Sequence, residues 1–249
     1  MTGLLGAVQF LTRIPVRLQS PPRLARCVPW FPVVGALIGT VCGLFAAGAA
    51  ELVPAIVAAT LAVLAGLLVT GAFHEDGLAD VADAAGGGWD REQRLQILAD
   101  PLHGSYGVAA LVGSVVLRVA CVATLGPAAA FGGLVAAHTL GRGVAVGVMG
   151  AVPAATGDGL GAAYTRDLTR RAVVAAGAAA IAITAVATGW WVLPLVAAAV
   201  VAAAAVSTLA VRKFGGITGD VLGAVEQVAE CAVLVVVSGL AARHTLWWR

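Results

Sequence analysis

Residues 28–50 read VPWFPVVGALIGTVCGLFAAGAA, 23 consecutive positions without a charged side chain. At about 1.5 Å per residue such a run covers the ~30 Å hydrocarbon layer of a bilayer, and a helix does so while pairing its own backbone groups. Six more apolar stretches follow, at approximately 52–73, 106–126, 128–152, 172–189, 190–211 and 223–242. The 249 residues are 60% hydrophobic and 11% charged, with a mean hydropathy of +0.97, far from a soluble domain of this length. The expected fold is therefore all-α: one polytopic integral membrane helical bundle over 1–249, with about seven transmembrane helices. Its many Ala and Gly residues suit close packing of helices in lipid.

Leu4 to Leu11 form a short apolar piece ended by Arg13 and Pro15. It is too short to span and is expected to lie at the membrane interface. No basic region precedes it and no small-residue cleavage pattern follows, so it does not read as a signal peptide. Cys27, Cys42, Cys121 and Cys231 are isolated, which argues against a structural zinc site or a disulfide framework.

If the seven stretches alternate across the membrane, the segments 1–27, 74–105, 153–171 and 212–222 share one side. Eleven of the 15 basic residues fall there, whereas only Arg243 and Arg249 fall on the other; Arg118 and Arg142 lie inside spans. The positive-inside rule then makes the first side cytoplasmic, in an inner cell membrane. Trp190, Trp191, Trp247 and Trp248 fit an aromatic belt at the opposite interface.

The cytoplasmic side carries the acids. Seven of the chain's 13 carboxylates lie between Glu75 and Asp100, in what reads as one loop beginning GAFHEDGLADVADAAGG at Gly71. Asp76, Asp80 and Asp83 follow an i, i+4, i+7 spacing, so on a helix they fall within roughly 60° of one another and repel unless a cation holds them. Oxygen ligands without histidine or cysteine pairs suit Mg²⁺, which takes one or two carboxylates plus water and substrate phosphates. A magnesium-assisted phosphate reaction follows. The bland alternative is a solvated helix start, where acids are favoured.

His74 is a candidate for phosphate contact or proton transfer, set against a local hydrogen-bonding role. His74-Glu-Asp-Gly is not a zinc protease motif, because position 78 is Leu. Gly215-Gly-Ile-Thr-Gly-Asp220 offers a backbone nest before the last span, with Lys213 ahead of it, and is expected to cradle an anion through Gly216, Thr218 and Gly219. Arg118, His138, Arg142, Glu226 and Glu230 sit within spans, where ionisable residues are paired or face a polar cavity. Arg142 either pairs with a glutamate or reaches a substrate phosphate.

Phe10-Leu-Thr-Arg-Ile-Pro15, His74-Glu-Asp-Gly-Leu-Ala-Asp-Val-Ala-Asp83, Ile97-Leu-Ala-Asp100 with Gly104 and Gly107, and Gly216-Ile-Thr-Gly-Asp-Val-Leu-Gly-Ala224 together resemble the cobalamin synthase family, the adenosylcobinamide-GDP ribazoletransferases. The resemblance covers most of the chain. It implies transfer of the corrinoid phosphate of adenosylcobinamide-GDP to alpha-ribazole or its 5'-phosphate, with release of GMP and use of Mg²⁺. It also implies that Asp76, Asp80, Asp83 and Asp220 are metal and phosphate carboxylates, that His74, Asp80 and Asp100 are catalytic candidates, and that Arg13 contributes to binding an anionic substrate. Glu75 departs from the resemblance, standing where an apolar residue is expected. A nucleic-acid partner is not expected, and a homo-oligomer stays open. A CDP-alcohol phosphotransferase is the rival of like chemistry, but Asp76-Gly77 is followed by Leu-Ala-Asp rather than Ala-Arg. A cation transporter is the rival of another class, and it would need carboxylates near mid-span in several helices.

Overall fold

The computed structural model describes residues 2–18, 23–157, 159–166 and 168–248, so Arg249 of the far-side tail lies outside the described residues. Among those residues the chain is helical throughout, apart from turns and a lone bridge between Ala154 and Ile217. The order is α1 (Thr2–Leu11), α2 (Leu24–Cys27), α3 (Phe31–Ala50), α4 (Ala55–Thr70), α5 (Phe73–Gly87), α6 (Arg91–Leu98), α7 (Ser105–Ala123), α8 (Pro127–Ala151), α9 (Gly159–Thr165), α10 (Arg170–Thr188), α11 (Val192–Phe214) and α12 (Gly219–Ala241). Five helical runs among the described residues are long and apolar enough to cross a membrane, and six if α4 and α5 count as one bent span. One of the five runs continuously from Arg170 to Phe214. It is two passes: Val173, at the start of α10, packs on Gly150, while Arg91 joins the carbonyl of Phe214, at the end of α11, to that of Ala155 just beyond α8. The chain therefore leaves and returns at one end, turning at Gly189, whose φ is +62°. Each of the seven expected stretches thus contains a helix.

α8 is the buried centre, with α3, α10, α11 and α12 packed around it. Small residues set the closest approach. Gly35, Gly39 and Gly43 of α3 face His138, Leu134 and Phe131 of α8 in antiparallel order, and a Cβ on Gly39 would come within 2.5 Å of the Leu134 carbonyl oxygen and 2.7 Å of Val135 Cα. The expectation of small-residue packing in lipid is met here by backbone lying on backbone.

α1 is too short to span and packs against α2 and α3, with the Phe10 and Phe31 rings stacked at 5.8 Å. At the other end of the bundle the indoles of Trp247 and Trp248 donate to the carbonyls of Val186 and Ala187, which the last turn of α10 leaves unpaired.

The acidic stretch is not a loop. α4 ends at Gly71 (φ +69°), Ala72 follows with φ +56°, and the chain resumes as α5 at 91° to α4. Two successive left-handed residues make the elbow, and α5 then crosses the first turns of α12 and α7. α6 follows after a reciprocal cap: Gln93 N–H donates to Asp90 and Trp89 N–H donates to the Gln93 side chain.

Gly39→Val is expected to prevent the α3–α8 contact and to lower the yield of folded protein in detergent severalfold. Gly48→Ala, which meets nothing within 4 Å, is expected to leave yield and thermal midpoint unchanged; size-exclusion profiles of the two variants check the pair.

Candidate active site

Gly77 lets α5 lie directly on the first turn of α12, since a Cβ there would come within 2.7 Å of the Asp220 carbonyl oxygen and 2.9 Å of its Cα. This contact brings the row on α5 to Asp220. Asp76 is exposed and Asp80 nearly buried; His103, from the connection between α6 and α7, sets Nε2 3.4 Å from Asp76 and Nδ1 3.3 Å from Asp80. Burial pushes the Asp80 acid up to about 6, and the Asp76 and Asp220 carboxylates push the same way, opposed by His103. The cluster is short of positive charge.

Although Asp83 shares the helical stripe of Asp76 and Asp80, both its oxygens are taken by the N-terminus of α7, accepting from Gly104 N–H at 2.7 Å and Gly107 N–H at 2.9 Å. It caps α7, whose first N–H groups have no partner within their own helix, so each of its oxygens is already engaged in the scaffold. Ile217 N–H donates to Pro153, Ala155 N–H donates to Ile217, and Gly216 lies against Ala154, so the Gly215–Ile217 part of the segment clamps the α8–α9 connection, while Thr218 and Gly219 stay half-exposed beside Asp220. Thr218 caps α12 by accepting from Val221 N–H, and its hydroxyl donates to Asp220. Gly219 begins α12.

The remaining candidates scatter. Asp100 is exposed and accepts from Leu102 N–H within its own turn; among the described residues no contact joins it to the row. Lys213 is half-buried in the last turn of α11, an end that favours a cation. Arg13 is exposed, donates its backbone N–H to Val69 and folds its side chain over Gly71 at the elbow.

His74 and Arg142 point into the bundle. His74 Nε2 lies 2.7 Å from Glu226, and Arg142 lies 2.5 Å from Glu226 and also pairs with Glu230. His138 approaches Glu230 at 2.6 Å, and Arg118 joins Glu75 at 3.0 Å and Glu230 at 3.5 Å. All seven residues are buried. Of the two readings of Arg142, the structure supports pairing; the residue also lines a small cavity with His74, Glu226 and the Phe10, Phe31 and Phe73 rings. These interior carboxylates are held by arginines, unlike the free mid-span acids a cation pathway needs. Glu75 is paired and buried, which explains a charge where an apolar residue was expected. His103 was missed: it sits in an irregular stretch with no periodic signal, and only the fold brings it to the row.

Among the described residues no three His, Cys, Asp or Glu side chains close an ion cage. The donors of Asp76, Asp80 and Asp220 are oxygens, and a site finished by water and substrate phosphates suits Mg²⁺ better than a full protein cage does. The residues fit that ion.

Fold and site define a polytopic helical membrane protein with an acidic centre at one end of the bundle. The family model described as cobalamin-5-phosphate synthase matches residues 3–238. A relative from Chlorobaculum parvum named adenosylcobinamide-GDP ribazoletransferase is 38% identical over 242 residues, covering 94% of this chain and 93% of its own. Proteins of the same name from Azorhizobium caulinodans and Rhizobium etli are 40% and 41% identical, covering 92% of this chain and 92% and 93% of their own. No solved structure matches. The chain belongs to the cobalamin-5-phosphate synthase family.

Glu230→Ala is expected to leave His138 without its carboxylate and Arg118 and Arg142 with one carboxylate each in place of two, and to cost about 3–5 kcal/mol. Asp76→Asn, at an exposed position, is expected to leave the thermal midpoint within a few degrees of wild type. Thermal unfolding of both variants in detergent measures the contrast.

Proposed function

We propose that this protein transfers the adenosylcobinamide phosphate group of adenosylcobinamide-GDP to a ribose hydroxyl of alpha-ribazole or its 5'-phosphate, with release of GMP. The observation that carries the reading is the approach of Asp76 and Asp80 to Asp220 in a chain that belongs to this family from residue 3 to residue 238. The hydroxyl oxygen forms the new bond to the phosphorus nearer the corrinoid, the bridging P–O bond breaks, and GMP departs with the bridging oxygen.

Asp76, Asp80 and Asp220 would hold Mg²⁺. Bound there, the ion supplies positive charge to the diphosphate oxygens. Asp80, whose acid is raised to about 6 by burial and by its acidic neighbours, is the carboxylate that gains most from the ion's charge, and the proton of the attacking hydroxyl passes to solvent at this face. His103, touching both Asp76 and Asp80, orients these two carboxylates. His74 leaves the list of proton carriers at the phosphate, because Glu226 holds it inside the bundle; its role becomes fixing the start of α5. Arg13 and Lys213 are proposed to meet the anionic substrate from this face. The face is assigned to the cytoplasm and the membrane to the inner cell membrane, on the distribution of the arginines.

Purified protein in lipid is expected to release GMP from adenosylcobinamide-GDP when alpha-ribazole and Mg²⁺ are both present, and full turnover after chelation would remove the metal from the reading. Asp80→Asn is expected to lower kcat by about 100-fold or more, in the range of losses of a charge-stabilising group, with the thermal midpoint unchanged. An Asp83→Asn variant is expected to lose thermal stability as well, since it weakens the cap of α7.

A further inference from the structure

A second charged feature lies at the same end of the bundle and shares no lining residue with the aspartate row. It is a cleft between the N-terminal side of α2 and the α9–α10 connection, edged by Arg23, Arg26, Arg166 and Thr169 over an apolar floor of Leu24 and Ala163. The three arginines are exposed. Arg170 and Arg171 follow in the first turn of α10. Among the described residues none of these five guanidinium groups has an ion-pair or side-chain hydrogen-bond partner, whereas Arg91, Arg94, Arg118 and Arg142 all have one.

Charge alone would be satisfied by water, but placement sharpens the case. Helix N-termini carry partial positive charge, so arginines in the first turn of the 19-residue α10 sit at the unfavourable end unless an anion joins them. The Thr169 hydroxyl is spent on capping Ala172 N–H and cannot supply that charge. Depth narrows the identity of the anion: α2 leads directly into the span of α3, and α10 enters its own span after Arg171, so the cleft lies where both helices leave the apolar layer. Phosphate groups of lipid head groups occupy that level, and basic pockets beside transmembrane helices take them. Guanidinium groups pair with phosphate oxygens through forked N–H donors.

We propose that this cleft binds a phosphate ester, with an anionic phospholipid head group as its source at this depth and a soluble phosphate as the other source of the same chemistry. The site is separate from the transfer reaction and stands whether or not that reaction is correct. The test uses the full chain in mixed micelles, with native mass spectrometry counting retained phosphatidylglycerol against phosphatidylcholine, and with inorganic phosphate and GDP titrated separately. Wild type is expected to retain phosphatidylglycerol selectively. Arg23→Gln/Arg26→Gln/Arg166→Gln, confined to exposed positions, is expected to bind it about 100-fold more weakly, at about fivefold per charge, and Arg166→Gln alone about fivefold. If inorganic phosphate or GDP binds wild type and not the triple variant, while phosphatidylglycerol does not discriminate, the site stands with a soluble source. Equal binding of all three probes by wild type and the variants overturns the proposal, as does an equal loss in Arg243→Gln at the far end of the bundle.

Discussion

The interior of this bundle holds three carboxylates, two guanidinium groups and two imidazoles, and the fold depends on their meeting. Charges removed from water are costly unless they pair. The partners here come from four helices: His74 and Glu75 from α5, Arg118 from α7, His138 and Arg142 from α8, Glu226 and Glu230 from α12. A shift of any of these helices by one turn would leave an ion without its counter-ion. Apolar packing in lipid is tolerant of sliding, because a methyl group against a lipid tail is about as comfortable as a methyl group against another helix. The ion pairs supply the register that apolar contact does not.

The acidic centre follows from that register. His74 and Glu75 anchor the first turn of α5, so Asp76 emerges immediately afterwards, with Asp80 one turn on and more enclosed, and Gly77 brings them onto α12 beside Asp220. Neighbouring acids thus have opposite duties: Glu75 is locked inside and Asp76 is exposed. Asp83, two turns further, closes the arrangement by capping α7. Scaffold and chemistry alternate along one short helix.

The spans were legible in the sequence because hydrocarbon imposes length and composition on each helix independently of the others. The shared face of the acids and of the Gly215–Asp220 segment was legible for a related reason, since alternation and the bias of arginines need no knowledge of packing. Asp76 and Asp80 could be read from spacing. Spacing also grouped Asp83 with them but could not show its cap of α7, because the N–H groups that claim it belong to Gly104 and Gly107, more than 20 residues away. The pairing of Ile217 with the α8–α9 connection had the same origin: its partners, Pro153 and Ala155, are remote in the chain. The elbow at Gly71 was half visible, as a glycine, but a left-handed Ala72 carries no signature of its own.

The glycine seam between α3 and α8 has a mechanical consequence. Where two backbones touch without intervening side chains there are no rotamers to change, so that pair has few ways to yield under load. The periphery is different, since α7 presents Val108, Val112 and Val116 outward, as α4 presents Leu64 and Leu68 and α11 Leu193 and Val201. Breathing of the bundle falls to these outer helices, with α3 and α8 as the stiff keel against which they move.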